Sequence, residues 1–271
     1  MPRSLVWATD LDVLPLDHVV ERRDGFVVVR SPSNPRHFWG NLLLFDDPPD
    51  AGAAARWEQL FDGEFADEPL VHHRTFAWDR VDGAVGDGLA EFADRGYELE
   101  ETVGLLATPQ QIRAHPRESR AVEVRALEPA DGVDEELWQQ VLELQVADRG
   151  ERHEEAPYRV FGRARLADLR ALFRAGRGAW YVALDGNLVV GSCGVVVTGK
   201  RGRFQTVGTA AAQRRRGICS RLVVEAAHHA AEHHGARKLV IAADPDYHAL
   251  GLYESLGFRR AERVCGVCRQ P

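Results

Sequence analysis

A short run in the second half of the chain combines three arginines with a glycine, Arg214-Arg215-Arg216-Gly217. It follows an apolar run ending near Thr209 that predicts a strand, and it opens an amphipathic stretch, residues 217–234, that predicts a helix. The first turn of a helix has unpaired N–H groups and the positive end of the helix dipole. A glycine lets a phosphate approach this backbone, and guanidinium groups add forked donors. The run therefore predicts a binding site for a pyrophosphate.

Two runs of the sequence resemble the signatures of the GNAT superfamily of N-acetyltransferases. The arginine run is similar to the family's Gln/Arg-x-x-Gly-x-Gly/Ala, with Cys219 where Gly or Ala is usual. The second run, from Asp246 to Phe258, is similar to Asn-x-x-Ala-x-x-Leu-Tyr-x-x-Leu-Gly-Phe, with Asp246 in place of Asn. The resemblance covers residues 122–268. It implies a fold, a co-substrate and a reaction.

The resemblance implies that acetyl-CoA is the co-substrate and that an acetyl group passes to an amine by direct attack. It puts Tyr253 at the family's general-acid position, where a phenol with an ordinary pKa of about 10 stays protonated at neutral pH. The strand from Gln205 to Thr209 would offer backbone N–H groups to the acetyl carbonyl and the pantetheine arm. The residues implied to bind acetyl-CoA are Val207, Gly208, Thr209, Arg214, Arg215, Arg216, Gly217, Ile218, Cys219, Asp246 and Ala249.

The sequence leaves the general base open. Many family members carry a Glu on the strand before the arginine run, but this chain has Gln205 there. Asp244, at the end of the next predicted strand, is one candidate, and Glu154 or Glu155 in a charged loop is another. A chain of water molecules would serve equally well.

Two other functions compete with acetyl transfer. The absence of a strand carboxylate and the presence of Cys219 favour a non-catalytic protein that binds or senses acyl-CoA. A zinc hydrolase is the remote alternative, because residues 229–233 contain His-x-x-Glu-His, with His229 and His233 one helical turn apart. The zinc hypothesis also needs a distant carboxylate ligand and a different fold, so we predict no metal site.

The elements that would position these residues form a mixed α/β domain in the order β, α, α, three strands, α, β, α, β. The first half repeats the end of this pattern in weaker form. Phe92 lies four residues before Gly96, as Tyr253 lies four residues before Gly257. We therefore predict tandem acyl-CoA N-acyltransferase-like domains, residues 1–115 and 121–271, each with a mixed sheet.

The predicted N-terminal domain lacks the residues that the chemistry needs. Its equivalent of the arginine run is Asp46-Asp47-Pro48-Pro49-Asp50, which would repel a pyrophosphate. Phe92 has no proton to donate. Residues 1–120 hold 12 Arg and 22 acidic residues, a net charge of −10, whereas residues 121–271 have a net charge of +3. The N-terminal domain is therefore predicted to be degenerate.

The composition indicates a folded protein and bears on its expected location and partners. The 271 residues are 45% hydrophobic, which excludes disorder as the main state, and four cysteines are too few for a disulfide scaffold. No apolar run is long enough to span a membrane and the N-terminus shows no signal peptide, so a cytoplasmic protein is expected. We expect a small-molecule or peptide amine as acceptor, no nucleic-acid or membrane partner, and an assembly that could be a homodimer.

Overall fold

The computed structural model describes residues 2–150, 153–246 and 249–270. The helices are α1 (Leu5–Asp12), α2 (Ala53–Glu64), α3 (Leu89–Ala93), α4 (Glu135–Ala147), α5 (Glu155–Arg174), α6 (Ile218–His234) and α7 (Ala249–Ser255). The strands are β1 (Val19–Arg23), β2 (Phe26–Arg30), β3 (Leu42–Phe45), β4 (Arg74–Trp78), β5 (Glu98–Ala107), β6 (Glu123–Ala126), β7 (Gly178–Asp185), β8 (Leu188–Thr198), β9 (Arg201–Thr209), β10 (Lys238–Ala243) and β11 (Arg259–Arg269). None of the described helices is long and apolar enough to cross a membrane.

The contacts divide the chain into two compact units. Unit 1 consists of Met1–Gly104, Ala243–Asp246 and Ala261–Pro271, and unit 2 consists of Leu105–Ala242 and Tyr247–Arg260. Most of the last strand of the chain therefore belongs to unit 1, and the stretch from residue 105 to residue 120 belongs to unit 2. The boundary expected between residues 115 and 121 stays a prediction about the two halves of the sequence.

The sheet of unit 1 has the strand order β1-β2-β3-β4-β11-β5, and β5 contributes its residues 98–104 to this unit. The first three strands are antiparallel, β3 and β4 are parallel, and β11 runs antiparallel to β4, with Cys265 opposite Trp78. Aromatic rings fill the core between one face of the sheet and α2, where Trp57 stacks on Phe45 with ring centroids 3.7 Å apart. Burial of these large rings is the main stabilising contribution in this unit.

The sheet of unit 2 has the strand order β6-β7-β8-β9-β10. Strands β6 to β9 are antiparallel neighbours, and β10 runs parallel to β9. The β7–β8 connection at Asp185-Gly186-Asn187 is the tight turn that the sequence predicts. Helix α6 lies against β8 and β7 through a fully buried apolar stripe that includes Leu222, Ala226 and Ala230.

The structure confirms the predicted mixed α/β fold with a repeated pattern. In each unit three antiparallel strands lead to a parallel pair, β3–β4 in unit 1 and β9–β10 in unit 2. Helix α5 begins at Glu155, which the sequence places in a charged loop, because Pro157 is tolerated in the first turn of a helix. Helix α1 and the β1–β2 hairpin were not predicted. Their apolar residues follow no clean helical or alternating pattern at the sequence level.

Candidate active site

Strand β9 contains a bulge at the position where the sequence predicts contacts with the acetyl group. Its register with β8 is regular up to Gln205 opposite Gly194, but Gly208 then lies opposite Ser192, so β9 carries one extra residue. Thr206, within this interval, has the left-handed backbone angle φ +45°. A bulge of this kind turns a strand's N–H and C=O groups out of the regular ladder. Val207 and Gly208, two of the predicted binding residues, follow Thr206 directly.

The bulge faces a gap between two strands. The parallel pairing of β9 with β10 runs from Arg201 opposite Lys238 to Arg203 opposite Val240, whereas β9 continues to Thr209. Within the described chain, β10 therefore gives the last residues of β9 no ladder partner. Backbone donors on that edge are free to bind the carbonyl and amide groups of an extended ligand.

The loop after β9 leads into α6 through two left-handed residues. Arg215 has φ +61°, and Gly217, the N-cap residue of α6, has φ +78°. A Cβ atom on Gly217 would lie only 1.9 Å from the carbonyl oxygen of Arg117. The Ser119 N–H also donates to the Gly217 carbonyl, at 3.1 Å. Glycine is therefore required here by the neighbouring backbone as well as by any approaching phosphate.

The three arginines of the loop are not equally available. Arg214 forms an ion pair with Asp148 at the end of α4, and its Nε donates to the Thr209 carbonyl at 3.3 Å. Arg216 donates to the side chain of Gln213. The Arg215 guanidinium is exposed and has no hydrogen bond or ion pair within the described chain. Within the described residues, Arg214 and Arg216 therefore have protein partners, whereas Arg215 is available to a ligand.

Two further predicted binding residues lie in the first turn of α6. Ile218 is buried, and Cys219 is half-buried. Burial raises the pKa of the Cys219 thiol to about 12, against a smaller opposing effect of the Thr209 hydroxyl. The thiol is therefore protonated at neutral pH and is a poor nucleophile.

Tyr253 is buried on α7, with 3% of its surface exposed. Its ring lies 6.3 Å from that of Phe258, which in turn lies 6.0 Å from that of Phe204 on β9. Gly257, which follows α7, has φ +107°, and a Cβ atom there would lie 2.0 Å from the Gln111 carbonyl oxygen. Phe258 therefore links the ring of Tyr253 to that of Phe204, the residue before Gln205 on β9. Ala249, another predicted binding residue, is the buried first residue of α7.

The carboxylates proposed as general bases are all exposed. Glu154 is the N-cap residue of α5. Asp244 accepts a hydrogen bond from the Asp246 N–H at 2.8 Å, within the short stretch that groups with unit 1. Glu155 forms an ion pair with Arg159 at 2.9 Å. None of these three carboxylates is buried, whereas a general base is commonly tuned by burial and by its neighbours.

Sequence reasoning missed Arg165, a buried side chain of α5 that reaches β9. Its guanidinium donates to the side-chain oxygen of Gln205 at 2.9 Å, and the Gln205 amide nitrogen donates to the Phe204 carbonyl at 2.9 Å. Both polar atoms of Gln205 are thus engaged directly before the bulge. The available signal was the spacing of Arg165, three residues after Gly162 and four before Leu169, which places it on the buried face of α5.

The N-terminus of α2 in unit 1 has a glycine N-cap like that of α6 in unit 2, but its backbone donor already has a protein partner. Gly52, the N-cap residue of α2, has φ +79°, but its N–H donates to the Glu91 carboxylate at 2.7 Å. The β2–β3 register is regular from Phe26 opposite Phe45 to Val29 opposite Leu42. Asp46 forms an ion pair with Arg22. An internal carboxylate therefore occupies the helix end at which unit 2 presents arginines.

The remote zinc alternative finds no support in the described residues. The rings of His229 and His233 lie 4.1 Å apart, but Nδ1 of His229 is 3.0 Å from the Tyr181 hydroxyl. Within residues 2–150, 153–246 and 249–270, no group of three or more His, Cys, Asp or Glu side chains could hold a metal ion.

The mixed sheet, the bulge of β9 and the loop at the start of α6 can be compared with known proteins. Residues 138–258 match the family model described as Acetyltransferase (GNAT) family, and this part of the chain is a GNAT acetyltransferase domain. The match supports an acyl-CoA-dependent N-acyltransferase in general. A search of curated proteins gave no match to the sequence.

Solved structures resemble nearly the whole chain. A functionally unknown conserved protein from Staphylococcus epidermidis is 12% identical, with a TM-score of 0.73 over 94% of each chain. A GCN5-related N-acetyltransferase from Kribbella flavida is 15% identical, with a TM-score of 0.66 over 98% of this chain and 95% of that one. A tandem GNAT protein from the clavulanic acid biosynthesis pathway is 17% identical, with a TM-score of 0.56 over 100% of this chain and 90% of that one. These similarities confirm the predicted tandem fold.

Proposed function

We propose that the protein is an N-acetyltransferase that moves an acetyl group from acetyl-CoA to an amine by direct transfer. The observation that carries the proposal is the bulge of β9 at Thr206, which lies one loop before the N-terminus of α6 in a domain of the GNAT family. The free edge of β9 offers N–H donors for the acetyl carbonyl, and the loop at Gly217 offers donors for a pyrophosphate.

Tyr253 is the proposed general acid. Its ring is buried beside that of Phe258, and a phenol is protonated at neutral pH, so it can donate a proton to the departing thiolate. The protonated Cys219 supports direct attack by the amine over a route through an acylated cysteine.

The proton released by the amine has no buried carboxylate to accept it. Asp244 and Glu154 remain proposed bases because exposed carboxylates could accept it through water. The acceptor is proposed to be a small-molecule or peptide amine. A homodimer, a cytoplasmic location and the absence of nucleic-acid and membrane partners remain predictions from the sequence.

The test is acetyl-CoA turnover with a panel of small amines, polyamines, amino acids and peptides. Release of free CoA is measured together with the mass of each product. We expect one acceptor class to gain the mass of an acetyl group as CoA is released. Acetyl-CoA binding by calorimetry is measured on the same preparation, so that binding and catalysis are determined separately.

The second candidate function is a protein that binds or senses acyl-CoA without catalysis. The engagement of both polar atoms of Gln205, by Arg165 and by the Phe204 carbonyl, favours it, because the strand position before the bulge cannot act as a base. Acetyl-CoA binding without turnover on any acceptor would favour this function. The absence of acetyl-CoA binding would contradict both candidates.

A further inference from the structure

Residues 113–120 span the predicted boundary between the two domains, and they contact the residues that follow α7 and the residue that begins α6. We call this segment the strap. At one end, the Arg113 N–H donates to the Leu256 carbonyl at 2.9 Å, next to Gly257. At the other end, the Arg117 carbonyl oxygen occupies the space that a side chain on Gly217 would need, and the Ser119 N–H donates to the Gly217 carbonyl. The strap is thus held by backbone atoms at the N-cap of α6.

The contacts of the strap described above are made by its backbone atoms, so two of its arginine side chains remain available for other partners. Arg117 and Arg120 are exposed, and their guanidinium groups have no hydrogen bond or ion pair within the described chain. The one acidic residue of the strap, Glu118, lies 3.7 Å from Arg221 on the first turns of α6. Arg117 and Arg120 therefore belong to backbone that contacts the N-cap of α6, and Arg215 is the arginine of the adjoining loop that has no protein partner within the described residues.

Like charges gathered at one helix N-terminus repel one another and the positive end of the dipole unless an anion binds between them. Two of the three loop arginines, Arg214 and Arg216, already have protein partners. The arginines of the strap are therefore additional groups that could bind a phosphate. Guanidinium groups bind phosphate oxygens through strong forked hydrogen bonds.

We propose that the strap is part of the cofactor site and that Arg117 and Arg120 bind a phosphate group of CoA. This inference rests on the proposed function. The phosphate is either the pyrophosphate at the N-cap of α6 or the phosphate on the adenosine ribose. A region outside the matched residues 138–258 thereby contributes directly to binding.

The test compares CoA with 3′-dephospho-CoA, which keeps the pyrophosphate and lacks the ribose phosphate. Dissociation constants are measured by calorimetry at one fixed ionic strength for the full-length wild type, Arg117→Gln, Arg120→Gln and the double variant. Arg237→Gln is the matched control, because Arg237 is an exposed arginine just beyond the other end of α6. Thermal unfolding of each variant checks that the fold is intact.

We expect the double variant to bind CoA at least ~10-fold more weakly than Arg237→Gln does, with unchanged unfolding. If the double variant binds CoA more weakly but binds 3′-dephospho-CoA normally, the strap binds the ribose phosphate. If it binds both ligands equally more weakly, the strap binds the pyrophosphate. Affinities equal to those of Arg237→Gln would overturn the proposal while leaving the proposed function intact. A wild-type protein that binds neither ligand would reject both proposals.

Discussion

The backbone N–H of Gly52 donates to the carboxylate of Glu91 at 2.7 Å, at the N-terminus of helix α2. In unit 2 the equivalent residue, Gly217, has nearly the same backbone angles, φ +78° against φ +79°. The two helix ends share their geometry and differ in what faces them. A side chain of the protein supplies the anion at the helix end in unit 1, whereas the loop before the helix in unit 2 carries three arginines.

This hydrogen bond should stabilise unit 1. We expect Glu91→Gln to lower the free energy of unfolding by about 0.5–1 kcal/mol, because the negative charge at the helix N-terminus is lost. Urea unfolding measures the change. Glu68→Gln is the control, since the Glu68 carboxylate makes no hydrogen bond or ion pair within the described chain. Equal stability of the two variants would contradict the role of Glu91.

Replacing Tyr253 separates catalysis from binding. We expect Tyr253→Phe to lower the turnover number by ~10²–10⁴-fold, because the phenyl ring cannot protonate a thiolate, while the dissociation constant for CoA changes little. Steady-state kinetics and calorimetry measure the two quantities. Tyr97→Phe, which removes a half-buried hydroxyl bonded to Glu58 in unit 1, should leave turnover unchanged. Full turnover by Tyr253→Phe would reject the general-acid assignment.

Gly217 should tolerate a methyl group less well than a glycine of equal backbone conformation. Gly235, at the other end of α6, has φ +73°, and a Cβ atom added there would meet nothing within 4 Å. Gly235→Ala should therefore cost only the left-handed strain, about 1–2 kcal/mol. Gly217→Ala should cost ~1–3 kcal/mol more, because the Arg117 carbonyl must move, and CoA should bind more weakly. Equal free energies of unfolding for Gly217→Ala and Gly235→Ala, measured in urea, would contradict this expectation.

A carboxylate at position 205 should not restore a base. The Arg165 guanidinium, 2.9 Å from the Gln205 side-chain oxygen, would hold the pKa of a Gln205→Glu carboxylate low. The pH profile of kcat/KM should therefore gain no ionisation between about pH 6 and 8. Gln213→Glu, a change of the same kind in the loop after β9, controls for added charge. A new ionisation near neutral pH with faster turnover would show that Arg165 does not control this position.

The stability of unit 1 should fall in acid because of His73. Burial lowers the pKa of His73 to about 4, and its ring packs 4.5 Å from that of Phe38. Between about pH 6.5 and pH 4, His73 is protonated in the unfolded state and neutral in the folded state. The free energy of unfolding therefore falls as the pH falls towards 4. At ~1.4 kcal/mol per pKa unit, the shift from 6.5 to about 4 corresponds to a loss of about 3–4 kcal/mol once the pH is below 4.

Urea unfolding at pH 7 and pH 4.5 measures this dependence. His73→Gln should reduce it, whereas His72→Gln should preserve it, because His72 is exposed and directly precedes His73. An unchanged pH dependence in His73→Gln would show that other groups cause the loss in acid.

The sequence by itself determined the repeated mixed α/β pattern, the loop at Arg214 to Gly217 and the position of Tyr253. These features follow from local rules: alternating or helical apolar spacing, a glycine at a helix start, and residue types that fit an anion or a proton transfer. The two runs at corresponding places in the halves also differ in charge. The acidic run at Asp46 lies where the other half has arginines.

Only the tertiary structure decided which of these groups is available. The partners of Arg214 and Gln205, namely Asp148 and Arg165, lie far from them in the sequence. The bulge at Thr206 depends on register with β8, and the strap reaches Gly217 through the course of the backbone. Periodicity reports which face of an element is buried, whereas the identity of the group packed against that face is a property of the folded chain.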